Sequence, residues 1–259
     1  MTTIEQAIQD LFPDELISIE LFDDWCWQLR MEVFPGAADL KQLLEIRLEQ
    51  VLGICLERDA VKRDFWELFG GTDDRLIKSV KSIRSKLGRD LQGDKVTSRL
   101  TVHELRRRIF EFGDLGRIRI VTDFLSDAAN LQKSLFEGSK FIDRYPCPKG
   151  VKDFIFDPNH RDGLKGHRAR QFSVRAPCGD NETFGFEVQL MTRLQHAWDR
   201  RNHPLYEWQR EKNDWKDNPA AVRLAVNDFA CAETLHLVDQ QADRNWSDFL
   251  AEKKGETPS

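Results

Sequence analysis

The chain has 259 residues, of which 40% are hydrophobic and 32% charged, so it can bury a core in one domain with helical extensions, or in two small domains. It lacks an apolar run of the roughly 18 to 20 residues that a membrane span needs, and its first residues do not read as a secretory signal. We therefore expect a cytoplasmic protein with no membrane segment. Its 5 scattered cysteines argue against a disulfide framework and against a thiolate zinc site.

Charge is distributed unevenly along the sequence. The net charge of -5 gives no reason to expect general affinity for nucleic acid. Residues 1–74 contain 17 acidic and 6 basic side chains, whereas residues 75–119 contain 13 basic and 5 acidic ones. The central basic segment is therefore where we expect an anionic ligand to bind.

The N-terminal region has the periodicity of helices. Pro35-Gly36 is predicted to end the first helical region, because proline restricts the preceding residue and glycine favours a turn. A long amphipathic helix is predicted from Ala38 to Phe69, with Gly70-Gly71 after it. Residues 1–70 are expected to form a helical extension that packs on the domain or on a partner chain.

The next predicted helix, Asp74 to Leu87, has one apolar and one basic face. The basic face consists of Arg75, Lys78, Ser82, Lys86 and Arg89. From spacing alone, this face is either a solvated cationic surface or an anion-binding one. Gly88 to Thr101 is polar and is predicted to be a mobile loop.

A strand with a charged side is predicted after a short helix that contains Leu105 and Ile109. Ile118 and Ile120 would face the core, Arg117 and Arg119 the other side, and Asp114 would stand at the entrance of the strand. The residues alone leave open whether Asp114 is an ion-pair partner or a metal ligand.

A second strand and a helix carry the remaining polar candidates. Residues 184–190 alternate between apolar side chains and a polar side that includes Glu187 and Gln189. Thr192 is a plausible N-cap for the helix that follows. A helix from Ser126 to Phe136 and another over residues 220–250 complete an α+β arrangement, with 211–259 as a C-terminal helix and tail.

These segments resemble, in order, the motifs of the RelA/SpoT synthetase domain, which makes the alarmone (p)ppGpp. The resemblance spans residues 74–207, within a domain predicted at 71–210, and rests on Lys78, Ser82, Lys86, Asp114, Lys152, Asp153, Gly166, Glu187, Gln189, Thr192, His203 and Tyr206. It implies a mixed β-sheet flanked by helices, related to nucleotidyltransferases. The sequence departs from the family's motifs at Leu76, Arg117, His167, Gln171, Met191 and Asn202.

The resemblance also implies roles for individual residues. Asp114 and Glu187 would bind Mg²⁺ and serve as the catalytic carboxylates. The ATP phosphates would be bound by Arg75, Lys78, Ser82, Lys86 and Arg119. The acceptor would be bound by His167, Arg168, Gln189 and His203, with His167 in the place of a tyrosine that stacks on the acceptor guanine.

Three functions follow from this resemblance. The first is a small synthetase that transfers the β,γ-pyrophosphate of ATP to GDP or GTP, with a second copy of the chain as a candidate partner in a homo-oligomer. The second is a toxin that pyrophosphorylates the tRNA 3' end and pairs with an antitoxin protein; Arg117, Arg168 and Arg170 favour it. The third is a catalytically reduced domain that binds nucleotides or a partner, against which the retention of Asp114 and Glu187 argues.

Overall fold

The computed structural model describes residues 11–16, 18–59, 66–69, 76–136, 141–146, 152–153, 169–211 and 215–255. Its helices are α1 (Ile19–Asp59), α2 (Val80–Gly93), α3 (Val102–Phe110), α4 (Leu125–Phe136), α5 (Phe141–Arg144), α6 (Arg193–Glu211) and α7 (Pro219–Lys254), with 3-10 turns at Asp14–Leu16 and Trp215–Asp217. Its strands are β1 (Trp66–Phe69), β2 (Gly116–Thr122), β3 (Lys152–Asp153), β4 (Arg170–Cys178) and β5 (Glu182–Thr192).

Within the described residues, the strands form one five-stranded mixed sheet in the order β1-β2-β5-β4-β3. The central pair, β2 and β5, is parallel, and the other pairs are antiparallel. The β4–β5 hairpin turns at Gly179, whose positive φ of 60° suits glycine. The predicted fold class, a mixed sheet flanked by helices, is confirmed.

The two faces of the sheet differ in chemistry. One face is apolar and packs with α1 and α4 into the main core, which includes Phe22, Leu29, Leu40, Leu44, Ile118, Ile120, Leu131, Phe172, Phe186 and Val188. The other face carries charged and amide side chains from β2 and β5. None of the helices in the described part of the chain is long and apolar enough to cross a bilayer.

The N-terminal prediction was wrong in two respects. Helix α1 does not end at Pro35-Gly36 but runs through it, because Val33, Ala37 and Leu40 on either side are fully buried. Packing thus offsets the helix-breaking effect of the proline. Residues 66–69 form edge strand β1 and not the end of a helix, since the aromatic-rich segment Trp66–Phe69 pairs with β2.

The basic helix also begins later and ends later than predicted. Ser79 caps its N-terminus by accepting a hydrogen bond from the amide of Ser82, so Lys78 precedes the helix. At the other end, Gly88 and Leu91 are buried within α2, so the predicted mobile loop is helical from Gly88 to Gly93 and non-helical only from there to Thr101. Thr101 ends this connection with a capping box that starts α3.

The acidic N-terminal segment and the basic central segment are joined by ion pairs. Arg84 of α2 contacts Asp23 at 2.7 Å, and Arg106 of α3 contacts Glu32 at 2.6 Å. Arg106 also binds Glu182 at the start of β5 at 2.7 Å. Part of the basic segment therefore attaches α1 to the domain and is not available to a ligand.

Gly36 gives a direct test of how closely α1 lies on the sheet. A Cβ at this position would lie 2.0 Å from the carbonyl oxygen of Pro177, whereas a Cβ at helical Gly93 would meet nothing within 4 Å. Helical Gly→Ala changes ordinarily stabilise by about 0.5–1 kcal/mol. We expect Gly93→Ala to follow that rule and Gly36→Ala to destabilise by about 1–3 kcal/mol, measured by urea unfolding. Equal effects of the two changes would contradict this packing.

Helix α7 is attached to the end of β5 through a buried carboxylate. Asp239 is 4% exposed and accepts a 2.5 Å hydrogen bond from the hydroxyl of Thr192. Burial, together with the nearby Asp243, raises the pKa of Asp239 to about 6, although the Thr192 hydroxyl opposes the shift. The hydrogen bond therefore fixes the corner between β5 and α6. Its cost in folding free energy increases with pH, because the buried carboxyl becomes charged.

We expect Asp239→Asn to stabilise the protein at pH 7.5 by about 1–3 kcal/mol and to have little effect at pH 4. The pKa of Asp239 is raised in the folded protein. The stability that Asp239 contributes is therefore fully present below its unfolded-state pKa and is lost as the pH rises through about 6. Unfolding free energies at both pH values test this, with Asp248→Asn on the same helix as the control. A gain that is the same at both pH values would show that charge burial is not its cause.

Candidate active site

The polar face of the sheet brings four predicted residues together through strand register. Arg117 of β2 lies beside Glu187 of the parallel strand β5, and Arg119 lies beside Gln189. Because side chains at alternate positions share a face, all four point to the same side of the sheet. Glu187 and Gln189 are buried on this side.

Asp114 lies just before β2 and accepts two lysine contacts. The ammonium of Lys86 lies 2.6 Å from Asp114 Oδ1, and that of Lys78 lies 2.7 Å from Oδ2. Lys78 is positioned by the backbone, since its amide donates to the carbonyl of Leu115. Lys86 comes from the second turn of α2 and also lies over the ring of Phe112.

The proximity of these charges changes their proton affinities. Burial alone would raise the pKa of the Asp114 carboxyl, but the ammonium groups of Lys78 and Lys86 outweigh burial and hold that pKa well below its ordinary value. Burial lowers the pKa of Lys78, and the nearby Arg117 guanidinium adds to the effect. Asp114 is therefore a firmly ionised carboxylate that compensates partly desolvated cations.

Arg117 connects the two predicted catalytic carboxylates. Its Nε lies 2.6 Å from Glu187 Oε2, and its Nη2 lies 3.3 Å from Asp114 Oδ2. The two acidic residues are far apart in sequence, yet both contact one guanidinium. The expected meeting of Asp114 and Glu187 on the polar side of the sheet is thus seen in the structure, with a cation of the protein itself bridging them.

A hydrogen-bonded chain extends from Glu187 to a residue that the sequence did not single out. The amide nitrogen of Gln189 donates to Glu187 Oε2 at 3.0 Å, and the amide oxygen accepts from Arg119 Nε at 2.9 Å. Arg119 in turn contacts Asp199 of α6 at 2.7 Å. Asp199 lies about two helical turns after Thr192 and next to buried Trp198. Its position on the inward face of the predicted helix is the sequence feature that could have identified it as a site residue.

The remaining predicted residues lie apart from this cluster or cannot be placed. Ser82 is exposed in the first turn of α2, with its hydroxyl 2.9 Å from that of Ser79. His203 is exposed on α6, one turn beyond Asp199, and none of the described contacts links it to the cluster. Arg75, His167 and Arg168 lie outside the described residues.

The carboxylates suit a magnesium ion that is shared with phosphates. Among the described residues, no group of three or more His, Cys, Asp or Glu side chains could hold a metal. Mg²⁺ in nucleotide enzymes is commonly held by one or two carboxylates, with phosphate oxygens and waters completing the shell. Asp114 and Glu187 match that donor set if phosphate groups bind the lysines and the arginine that now contact these carboxylates.

The described fold is a mixed sheet with a parallel central pair, whose polar face carries carboxylates, lysines and arginines. Solved structures of other proteins share this fold. The chain matches a GTP pyrophosphokinase family protein from Streptococcus pneumoniae with a TM-score of 0.59 and 17% identity, over 87% of this chain and 96% of that chain.

Two further matches are to Bacillus subtilis proteins. Small alarmone synthetase 1 bound to its product pppGpp has a TM-score of 0.54 and 15% identity, over 83% of this chain and 94% of that chain. Small alarmone synthetase 2 has a TM-score of 0.52 and 21% identity, over 81% and 93%. No protein-family model and no curated protein matches the sequence. The chain therefore has the small alarmone synthetase fold.

We expect Asp114→Asn to destabilise the protein by about 1–3 kcal/mol, because it leaves Lys78 and Lys86 without a buried counter-charge. The matched control is Asp94→Asn, which removes an exposed carboxylate paired with Arg108 and should cost at most about 0.5 kcal/mol. Urea unfolding at pH 7.5 measures both. If the two substitutions cost the same, the cluster around Asp114 does not stabilise the fold.

Proposed function

We propose that this chain is an ATP-dependent pyrophosphotransferase that transfers the β,γ-pyrophosphate of ATP to the 3'-hydroxyl of GDP or GTP. The observation that carries this proposal is the cluster in which Asp114 and Glu187 contact one guanidinium beside two lysines. It lies on the polar face of a fold shared with small alarmone synthetases. The proposal thus joins a phosphate-compatible site to a fold that supports this chemistry in other proteins.

The cations of the cluster would bind the ATP phosphates. Lys78 and Lys86 contact Asp114, which is itself a proposed metal ligand. When ATP binds, its phosphate oxygens could take over the two lysines while a metal ion takes over the carboxylate. Arg119 supplies a third cation, held by Asp199 and Gln189. Ser82 would add a hydroxyl at the start of α2, and Arg75 is a further proposed phosphate-binding residue.

The transfer forms one bond and breaks one. The acceptor 3'-oxygen would bond to the β-phosphorus of ATP, while the bond from that phosphorus to the oxygen it shares with the α-phosphate breaks and AMP leaves. Glu187 would orient the hydroxyl and take its proton. Mg²⁺ held by Asp114 and Glu187 would neutralise charge on the transferred phosphates.

Acceptor recognition would involve Gln189, His203, His167 and Arg168. The hypothesis of a tRNA acceptor is favoured in the sequence by extra arginines. In the structure, however, Arg117 contacts both site carboxylates, and Arg170 donates to Gln132 at 2.6 Å. Internal contacts therefore account for these two arginines without tRNA. An antitoxin partner belongs only to the tRNA alternative.

One observation favours the alternative of a catalytically reduced nucleotide-binding or partner-binding domain. Every carboxylate of the cluster is already neutralised by a cation of the protein, with Arg117 on Glu187 and Asp199 on Arg119. An arrangement that is stable without a ligand could bind nucleotide and not react. Activity measurements separate this alternative from the proposed enzyme.

We expect label from γ-³²P-ATP to appear on GDP or GTP in the presence of Mg²⁺, and not on deacylated tRNA. Glu187→Gln should lower the transfer rate by about 10²-fold or more, because the hydroxyl loses its proton acceptor. Glu45→Gln is the control, since Glu45 pairs with Lys41 within α1, the helix that packs on the opposite, apolar face of the sheet. Thermal unfolding checks that each variant is folded.

The possible outcomes distinguish the three candidate functions. Label on tRNA alone would favour the toxin reading. No transfer to any acceptor by the wild-type protein would overturn the enzyme proposal in favour of the reduced domain. Unchanged transfer by Glu187→Gln would show that Glu187 does not have the role given to it here.

A further inference from the structure

Arg117 occupies a position that a metal ion is expected to use. Its guanidinium contacts Glu187 at 2.6 Å and Asp114 at 3.3 Å, the same two carboxylates that would hold Mg²⁺. The contact with Glu187 is favoured by the sheet itself, because the two residues are register partners on adjacent strands. The guanidinium therefore bridges the proposed ligands through strand pairing.

The charges of the nucleotide-free cluster oppose a further cation. The two carboxylates are contacted by three cationic side chains, those of Lys78, Lys86 and Arg117. This leaves an excess of positive charge. Glu187 and Asp114 are largely buried, with side chains 6% and 18% exposed, so solvent screens this excess only in part. A divalent ion would have to displace Arg117 while the lysines still lack other anionic partners.

Nucleotide phosphates would reverse this balance. A triphosphate carries several negative charges, which give Lys78, Lys86 and Arg117 other anions to bind. Arginine suits such a transfer, since its planar guanidinium binds carboxylate and phosphate oxygens with the same paired geometry. Arg117 is also 36% exposed, so its side chain borders the open side of the site.

We propose that Arg117 acts as a built-in counter-cation that keeps divalent metal out of the Asp114–Glu187 site until nucleotide phosphates draw the guanidinium away. This inference rests on the proposed function in so far as the incoming ligand is a nucleotide. Arg117 is a positioning residue here, because it governs when the carboxylates become available. Metal and nucleotide binding are then coupled, and each must strengthen the other.

The test is Mn²⁺ binding to the full, nucleotide-free chain, measured by isothermal titration and by the paramagnetic signal of free Mn²⁺. Arg117→Ala and Arg117→Gln should bind Mn²⁺ at least about tenfold more tightly than the wild type, because a repelling charge is gone. Arg193→Ala is the control: it removes the same charge from a pair with Asp123 outside the cluster, and its affinity should equal the wild type's. Arg117→Gln keeps a side chain of similar length should Arg117→Ala fail to fold.

A second measurement repeats the titration with the ATP analogue AMPCPP. The analogue should raise the Mn²⁺ affinity of the wild type by a larger factor than that of Arg117→Gln, in which the barrier is already absent. Equal nucleotide-free affinities for wild type and Arg117→Gln would overturn the inference. Failure of the wild type to bind AMPCPP or to transfer pyrophosphate would instead overturn the proposed function, while the nucleotide-free comparison would still decide the role of Arg117.

Discussion

The ion cluster around Asp114 is the interaction on which the polar side of the molecule depends. It joins the segment before α2, the second turn of that helix and the start of β2, through Lys78, Lys86 and Arg117. A carboxylate so strongly paired has a low pKa and remains charged at any working pH. The same contacts that stabilise this corner also hold cations and carboxylates close together, as the proposed phosphate chemistry requires.

The uneven charge of the chain has a structural cause as well as a functional one. Acidic residues of α1 and the turn before it bind arginines of the central segment, as Asp23 binds Arg84 and Glu32 binds Arg106. Part of the positive charge therefore holds the long N-terminal helix to the domain. The proposed phosphate site uses only a few of the other cations, those that meet at the polar face of the sheet, so the charge asymmetry alone overstates the size of the binding surface.

Local patterns predicted the elements that carry the site, and long-range contacts explain the errors. Alternation and an N-cap located β5, Thr192 and α6, because side-chain alternation and a capping hydroxyl are local properties; that β5 is buried on both faces from Phe184 onwards follows instead from its central place in the sheet. Pro35 within α1 and the edge strand at Trp66–Phe69 escaped prediction because their conformations depend on packing and pairing with distant residues. The contact between Arg117 and Glu187 likewise follows from the parallel register of β2 and β5, which spacing within one strand does not encode.

Two departures from the RelA/SpoT motifs are physically related in this fold. Met191, at the place of an arginine, is buried with Val121 and Ala169, so the polar face ends in an apolar cluster there. Arg117, at the place of a small residue, adds a cation beside Glu187, four positions earlier on β5 and about 13 Å away along the strand. A positive charge is thus absent at one end of the face and present at the other, beside both carboxylates. On the described polar face, an anion near Met191 would therefore meet apolar side chains, whereas an anion near Asp114 and Glu187 would meet a guanidinium.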